Sequence, residues 1–147
     1  MKVAVPLNSS DQVYRDNPFT APKFAIYHID AARTPVTFTL EKINENPWLK
    51  QEGEMLSDAM MCSAGCSDMV QKDFDHIIEH YALLEAVSGC SYMLVKSYCD
   101  NIKHTMRNGG VELFNIPPFI KDPSLAIKNF LIGANIASSI QYIQHEA

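Results

Sequence analysis

The sequence predicts one α/β domain in which helices cover the faces of a mixed β-sheet. Three short strand-like runs occupy the first 40 residues, whereas strand-like runs and helical patterns alternate in the last 60. Antiparallel strands followed by alternating strands and helices are typical of a mixed sheet with helices on its faces, and five strands are expected here. The chain of 147 residues has the length of one ordinary domain, so we assign 1–147 to a single domain.

The three amino-terminal strands are predicted from apolar runs that polar or proline-containing segments separate. The runs are 3–7, 23–29 and 36–40. Pro6 lies near the end of the first run, where the missing N–H is tolerated, and Pro35 separates the second run from the third. These runs predict a hairpin or meander.

The segment 43–67 shows no regular pattern. Asn, Pro and Gly residues interrupt it, and a short helix over 55–61 is the one element that its composition suggests. A loop of this length in a compact domain is usually functional.

The carboxyl-terminal half alternates helices and strands. Apolar residues at helical spacing follow Ser67-Asp68 and end at Gly89, and a continuous apolar run over 92–95 predicts a buried strand. Asp100 is a candidate N-cap for a helix that ends at Gly109, and 111–116 predicts another strand. Asp122-Pro123 opens the last helix, and the tail after 138 either extends that helix or frays.

Composition narrows the function classes. Seventeen acidic residues against twelve basic ones give a net charge of −5, which disfavours binding to nucleic acid or to an anionic membrane. No apolar run reaches transmembrane length, and residues 1–6 do not resemble a signal peptide. We therefore expect a cytoplasmic protein, in which the four cysteines are free thiols or metal ligands rather than disulfides.

Three of the cysteines are candidate metal ligands. Cys99 lies at a strand-to-helix junction, where the helix dipole favours the thiolate that binds metals. Cys62 and Cys66 are close enough in sequence to reach one metal together, since Gly65 allows the backbone to curl. In the alternative interpretation all three are small packed residues. Cys90, at the start of the predicted buried strand, is interpreted as core.

The histidines give a second, weaker metal pattern. His76, Glu79 and His80 match the HxxEH spacing, in which two imidazoles on one helix face bind zinc and the glutamate acts as base. A carboxylate that could serve as the third zinc ligand is not evident. In the alternative interpretation these histidines are exposed surface residues. His104, one turn into the helix that follows Cys99, could add a ligand there. Since no GxSxG, Walker or GxGxxG motif is present, the sequence favours binding over catalysis.

Several segments together resemble the dinitrogenase iron–molybdenum cofactor biosynthesis family, the NifX- or NafY-like cofactor carriers and accessory proteins. They are 1–6, 21–29, 83–95 with the following Cys99, and 110–114. The resemblance covers most of a core of about 1–135 and leaves 136–147 as a tail. Two segments depart from patterns common among its relatives. Segment 17–20 reads Asn-Pro-Phe-Thr where His-Phe-Gly is usual, and 97–101 contains a cysteine where relatives without nitrogenase roles have a Gly-rich turn.

The resemblance implies a ribonuclease H-like three-layer fold with a mixed five-stranded sheet. It also implies that the chain binds an iron–sulfur or iron–molybdenum cluster, or its precursor, and delivers it to cofactor-assembly or nitrogenase-type proteins during nitrogen fixation. In the family the ligands are Cys and His side chains from loops at one end of the sheet. Cys99 matches a turn cysteine of the family, and Cys62 and Cys66 fall in a loop where a ligand is expected.

These observations predict a non-catalytic metallocluster carrier. Thiolates of Cys62, Cys66 and Cys99 are the expected ligands, and His104, His76 or His80 could supplement them. Two alternatives stay open: a metal-free regulatory or protein-interaction domain of the same fold, and a zinc hydrolase that uses His76, Glu79 and His80.

Overall fold

Six β-strands form one mixed sheet in a computed structural model that describes residues 1–47 and 81–144. The sheet order is β5-β4-β1-β2-β3-β6. The strand bounds are β1 Lys2–Leu7, β2 Lys23–Asp30, β3 Val36–Glu45, β4 Tyr92–Val95, β5 Glu112–Asn115 and β6 Ile140–Tyr142. The predicted α/β class is confirmed, whereas the expected number of five strands is wrong.

Three α-helices lie within the described ranges. They are α1 Leu83–Ala86, α2 Asp100–Asn108 and α3 Pro123–Gly133, and a short 3₁₀ helix spans Pro18–Thr20. The predicted start of α3 at Asp122-Pro123 is confirmed. Pro123 is its first residue, and Asp122 is its N-cap, whose side chain accepts a hydrogen bond of 2.9 Å from the Ser124 N–H. At α2 the N-cap is Cys99, and Asp100 is the first helical residue rather than the cap.

Strand directions bring the carboxyl ends of three strands to one edge of the sheet. β1 pairs antiparallel with β2, so that Leu7 lies opposite Lys23. β1 also pairs parallel with β4, and β4 pairs parallel with β5. The segments that follow β1, β4 and β5 therefore meet beyond the same edge.

The sixth strand corrects the expectation of a helical or frayed tail. Helix α3 ends before Asn135, whose φ of 58° is left-handed and cannot continue an α-helix. Ile140 then pairs in parallel with Val36, and the Tyr142 ring stacks on Phe38 with centroids 4.7 Å apart. β3 also continues to Glu45, beyond the predicted end at residue 40, because it pairs with β2 along its length.

Apolar side chains cover both faces of the sheet. Along β1, Val3 and Val5 belong to the cluster that packs against α3, while Ala4 belongs to the cluster on the α1 and α2 face. Phe130 of α3 is fully buried, with its ring centroid 4.9 Å from that of Tyr92. Helices therefore lie on both faces, as the sequence predicts. Within the described ranges, no helix combines the length and the apolar character needed to cross a bilayer.

Candidate functional site

The predicted ligands divide between described and undescribed parts of the chain. Cys62, Cys66, His76 and His80, together with Glu79, lie outside the described residues. Their assignment as ligands therefore stays a prediction from the sequence.

Cys99 and His104 are both described, and they differ in exposure. Cys99 is 4% exposed at the start of α2 and belongs to the apolar cluster that includes Ile102 and Met106. His104 is exposed to solvent on the same helix. The structure thus places the thiol at a helix N-terminus, as predicted, but the exposed imidazole does not share its buried environment. Among residues 1–47 and 81–144, no group of three or more His, Cys, Asp and Glu side chains is placed to hold a metal ion.

Cys90 is a core residue, as its sequence position predicts. It is 6% exposed, and burial raises the pKa of its thiol to about 11. Lys2 counteracts part of this increase and Glu41 adds to it. A thiol with this pKa is almost entirely protonated at neutral pH, so Cys90 is a packing group.

The sheet has a topological switch point between β1 and β4. These strands are parallel neighbours, but the chain leaves β1 toward β2 on one side and leaves β4 through α2 toward β5 on the other. Connections that diverge in this way leave a crevice beyond the carboxyl ends of the two strands, where ligands of open α/β sheets usually bind.

A cleft with a volume of about 630 Å³ lies at this switch point. It is lined by residues that follow β1, β4 and β5, namely Asn8, Gln12, Val13, Arg15, Asp16, Lys96, Pro118 and Lys121. Its volume is within the range of pockets that bind small molecules. We call it the switch-point cleft.

The switch-point cleft is basic although the chain is acidic. Among the described residues that line it, Arg15, Lys96 and Lys121 contribute three positive charges and Asp16 one negative charge. That is an excess of two positive charges in a protein with a net charge of −5. Partial burial lowers the pKa of the Lys96 ammonium, and the nearby charges of Arg15 and Lys121 lower it further. The three cations therefore act on the same space.

Backbone hydrogen bonds fix the walls of the cleft. The Asn8 N–H donates to the Gln12 carbonyl at 2.8 Å, and the Asn8 side-chain oxygen accepts from the N–H groups of Ser10 and Gln12. The Val13 N–H donates to the Lys121 carbonyl at 2.8 Å. The segment that carries Arg15 is thus tied to the segment that carries Lys121, and the cations project from a fixed frame.

An ion pair further restrains the loop after β1. Asp11 in that loop pairs with Lys23 at the start of β2. Asp11 also has a φ of 61°, the left-handed conformation that Asp tolerates better than most residues. The turn before Arg15 is therefore defined by local contacts as well as by the sheet.

The sequence predicts a site at the carboxyl ends of the strands but does not single out these residues. It selected the segment after β4 for Cys99, whereas Lys96 in the same segment lines the cleft. Arg15 and Lys121 were missed because they are far apart in sequence and form no motif. The feature that could have indicated them is that each follows a strand, β1 or β5, whose carboxyl end lies at the same end of the sheet as that of β4.

Comparison with known proteins assigns no family to this chain. No family model and no curated protein matches the chain. Among solved structures, the chain is similar to the NMR structure of a Thermotoga protein that is provisionally named NifB and assigned to the DUF35 family. The two share 19% sequence identity over 90% of this chain and 88% of the other, with a TM-score of 0.49. A likeness of this extent assigns neither a ligand nor an activity to this chain.

Proposed function

We propose that this chain is a non-catalytic binding protein that holds an anionic cargo in the switch-point cleft. The cargo is an iron–sulfur or iron–molybdenum cofactor, or its precursor, carried during nitrogenase-type metallocluster assembly. The observation that carries the proposal is the convergence of Arg15, Lys96 and Lys121 on one cleft at the carboxyl ends of β1 and β4. Cofactor-assembly proteins would be the partners, and the cytoplasm the location.

Charge is the physical basis of the proposal. Metalloclusters that are ligated by thiolates carry net negative charge, and nearby cations and N–H donors stabilise them. The described residues supply the positive charge. The expected thiolate ligands, Cys62 and Cys66, lie outside the described residues. A carrier must also release its cargo, and charge attraction that salt can weaken is compatible with release.

We also propose that the chain has the ribonuclease H-like fold of NifX-type domains. A ribonuclease H-like, NifX-type domain is supported by the antiparallel β1–β2–β3 meander, the parallel set of β1, β4 and β5, and the helices on both faces. β6 is then an addition at the β3 edge. Because β2 and β3 separate β6 from β1, the added strand does not border the cleft, and the proposed site is unchanged.

The test is anaerobic purification followed by metal analysis and a visible absorption spectrum, with and without an added [4Fe–4S] donor. We expect iron and sulfide with broad thiolate-to-metal absorption. The absorption should be lost when Cys62 and Cys66 are both replaced by Ser, and reduced by Cys99→Ser. Lys96→Met should weaken uptake by about tenfold, because a charge-assisted contact contributes on the order of 1.5 kcal/mol. Arg33→Ala, at the opposite end of the sheet, is the matched control.

Two outcomes would contradict the proposal. A protein that stays colourless and metal-free when it is offered clusters would favour the metal-free interaction domain. Tightly bound zinc that disappears in His80→Ala would favour the zinc hydrolase instead.

A further inference from the structure

We infer that the switch-point cleft recognises a dianionic oxyanion group on a small organic molecule, with a phosphate monoester as the ligand class. This inference deepens the proposed function and rests on it for the place and the binding role of the cleft. It does not require a metal. The oxyanion would be part of the cargo or a second ligand that binds beside it.

The described residues that line the cleft supply donors that suit an oxyanion. Among the described residues that line it, the cations are a guanidinium and two ammonium groups, and there is no cysteine or histidine. The Asn8 side-chain oxygen already accepts hydrogen bonds from two backbone N–H groups. Its side-chain NH₂ group is therefore the part of the amide that can bind a ligand, and it binds as a donor. Arg presents a planar fork of N–H groups that matches phosphate geometry, and Lys supplies a compact charge beside it.

Charge balance selects a dianion. Arg15, Lys96 and Lys121 against Asp16 leave an excess of two positive charges. A phosphate monoester carries about −1.5 to −2 charges at pH 7, which matches this excess. A monoanion such as acetate would leave cation repulsion at Lys96 only partly compensated.

The volume and the remaining lining indicate an organic body beside the oxyanion. At about 30 Å³ per water in the liquid, a cleft of about 630 Å³ holds on the order of 20 waters, far more than one phosphate group displaces. Val13 and Pro118 offer apolar contact on its walls, and Gln12 offers an amide. The cleft therefore suits a phosphorylated small molecule better than free phosphate.

A second cleft supplies an internal comparison. It has a volume of about 440 Å³ and is lined by Arg33, Thr34, Asn135, Ser138 and Ser139 among others, with Arg33 as the one charged residue among the described residues that line it. The turn that carries Arg33 follows β2, which runs antiparallel to β1, so this cleft lies at the opposite end of the sheet. Arg33 lines this cleft without a second positive charge among the described lining residues, so Arg33→Ala is a matched control for Arg15→Ala.

The test is isothermal titration of the metal-free full chain with phenyl phosphate, inorganic phosphate, sulfate and acetate at about 50 mM and about 200 mM salt. We expect saturable binding of phenyl phosphate, competition by phosphate and sulfate, and at least about tenfold weaker binding of acetate. Arg15→Ala and Lys96→Met should each weaken phenyl phosphate binding by about tenfold or more. Lys96→Arg should retain most of it, because the charge is kept. Arg33→Ala and Lys103→Met, which line other pockets, should bind as the wild type does.

Specific results would overturn the inference. Equal affinity for phenyl phosphate and inorganic phosphate would refute the organic body and identify free phosphate as the ligand. Absence of saturable binding, or equal losses in Arg15→Ala and Arg33→Ala, would refute the site. Cluster uptake without oxyanion binding would refute this inference and leave the proposed function standing. Oxyanion binding without cluster uptake would refute only the metallocluster cargo.

Discussion

Replacing Lys96 by Met should make the protein more stable. Lys96 lies directly after β4, half-buried in the switch-point cleft beside Arg15 and Lys121. Its charge is disfavoured in the folded chain by partial burial and by two like charges. Methionine keeps an unbranched apolar stem of similar length and removes the charge, so the folded state loses a penalty that the unfolded state does not have.

The expected gain in the free energy of unfolding is about 1 kcal/mol. Two unit positive charges on the order of 8 Å apart in water repel each other by about 0.5 kcal/mol. Arg15 and Lys121 both act on Lys96. For a chain of 147 residues the entropy of unfolding is about 0.3 kcal/mol per degree, so the melting temperature should rise by about 3 °C. The gain should shrink at high salt because exposed charges are screened.

The pH dependence gives an independent check on the cause. Below the lowered pKa of Lys96 the ammonium is charged in both folded and unfolded chains, so the penalty is fully present at neutral pH. As the pH rises through that lowered pKa toward the ordinary value of 10.5, the folded protein releases the proton first and the penalty disappears. The advantage of Lys96→Met over wild type should therefore be largest at neutral pH and decrease at alkaline pH.

Calorimetry or thermal melts monitored by circular dichroism, in about 10 mM salt at pH 7 and pH 10, would measure these differences. Lys103→Met, an exposed lysine on α2, is the control, and its melting temperature should stay within about 1 °C of wild type. A Lys96→Met variant that is less stable than wild type at pH 7 would refute the repulsion. So would an equal gain in both lysine variants.

Two further predictions concern the core. Phe130→Ala should lower the free energy of unfolding by about 3–5 kcal/mol in urea denaturation, because the buried ring contacts Phe114 and Tyr92 with centroid distances of 5.0 and 4.9 Å. Phe130→Leu should cost less than half as much, because leucine keeps most of the buried apolar volume. Similar losses in both variants would show that the ring contacts, rather than the buried volume, provide the stabilisation. The second prediction is that alkylation of Cys90 at pH 8, followed by mass spectrometry, is slower by on the order of 100-fold than alkylation of an exposed cysteine. The reason is that a pKa of about 11 leaves little thiolate. Labelling of the folded chain at the rate of a free thiol would contradict the burial of Cys90.

The sequence predicts most of the strands and helices because their apolar patterns are local. The strands β1, β2, β4 and β5 and helices α2 and α3 all lie within a few residues of their predicted positions. The strand β6 was missed because Ile140–Tyr142 is too short to show alternation, and it exists through pairing with β3 and the Phe38–Tyr142 stack. Such a strand depends on tertiary contacts that no local window contains.

Sequence patterns point to the strand-to-helix junction after β4 but do not show which residues line the cleft there. A cysteine at a helix N-terminus is a local pattern, so Cys99 stood out, but its 4% exposure depends on packing against residues such as Ile102 and Met106. Arg15 and Lys121 come together only through the sheet order, which places the ends of β1 and β5 on either side of β4. A sequence pattern cannot show this convergence, because it depends on which strands are neighbours.

Net charge and local charge lead to different expectations about ligands. The overall charge of −5 disfavours a nucleic acid, which contacts an extended surface and meets that charge over its whole length. A compact anion in the switch-point cleft responds mainly to nearby charges, because charges beyond a Debye length of about 10 Å are largely screened, and the described residues that line the cleft carry an excess of two positive charges. A basic cleft in a chain of negative net charge therefore favours small anions over polyanions. Raising the net charge by replacing acidic residues remote from the cleft should strengthen binding to nucleic acid while leaving phenyl phosphate affinity nearly unchanged.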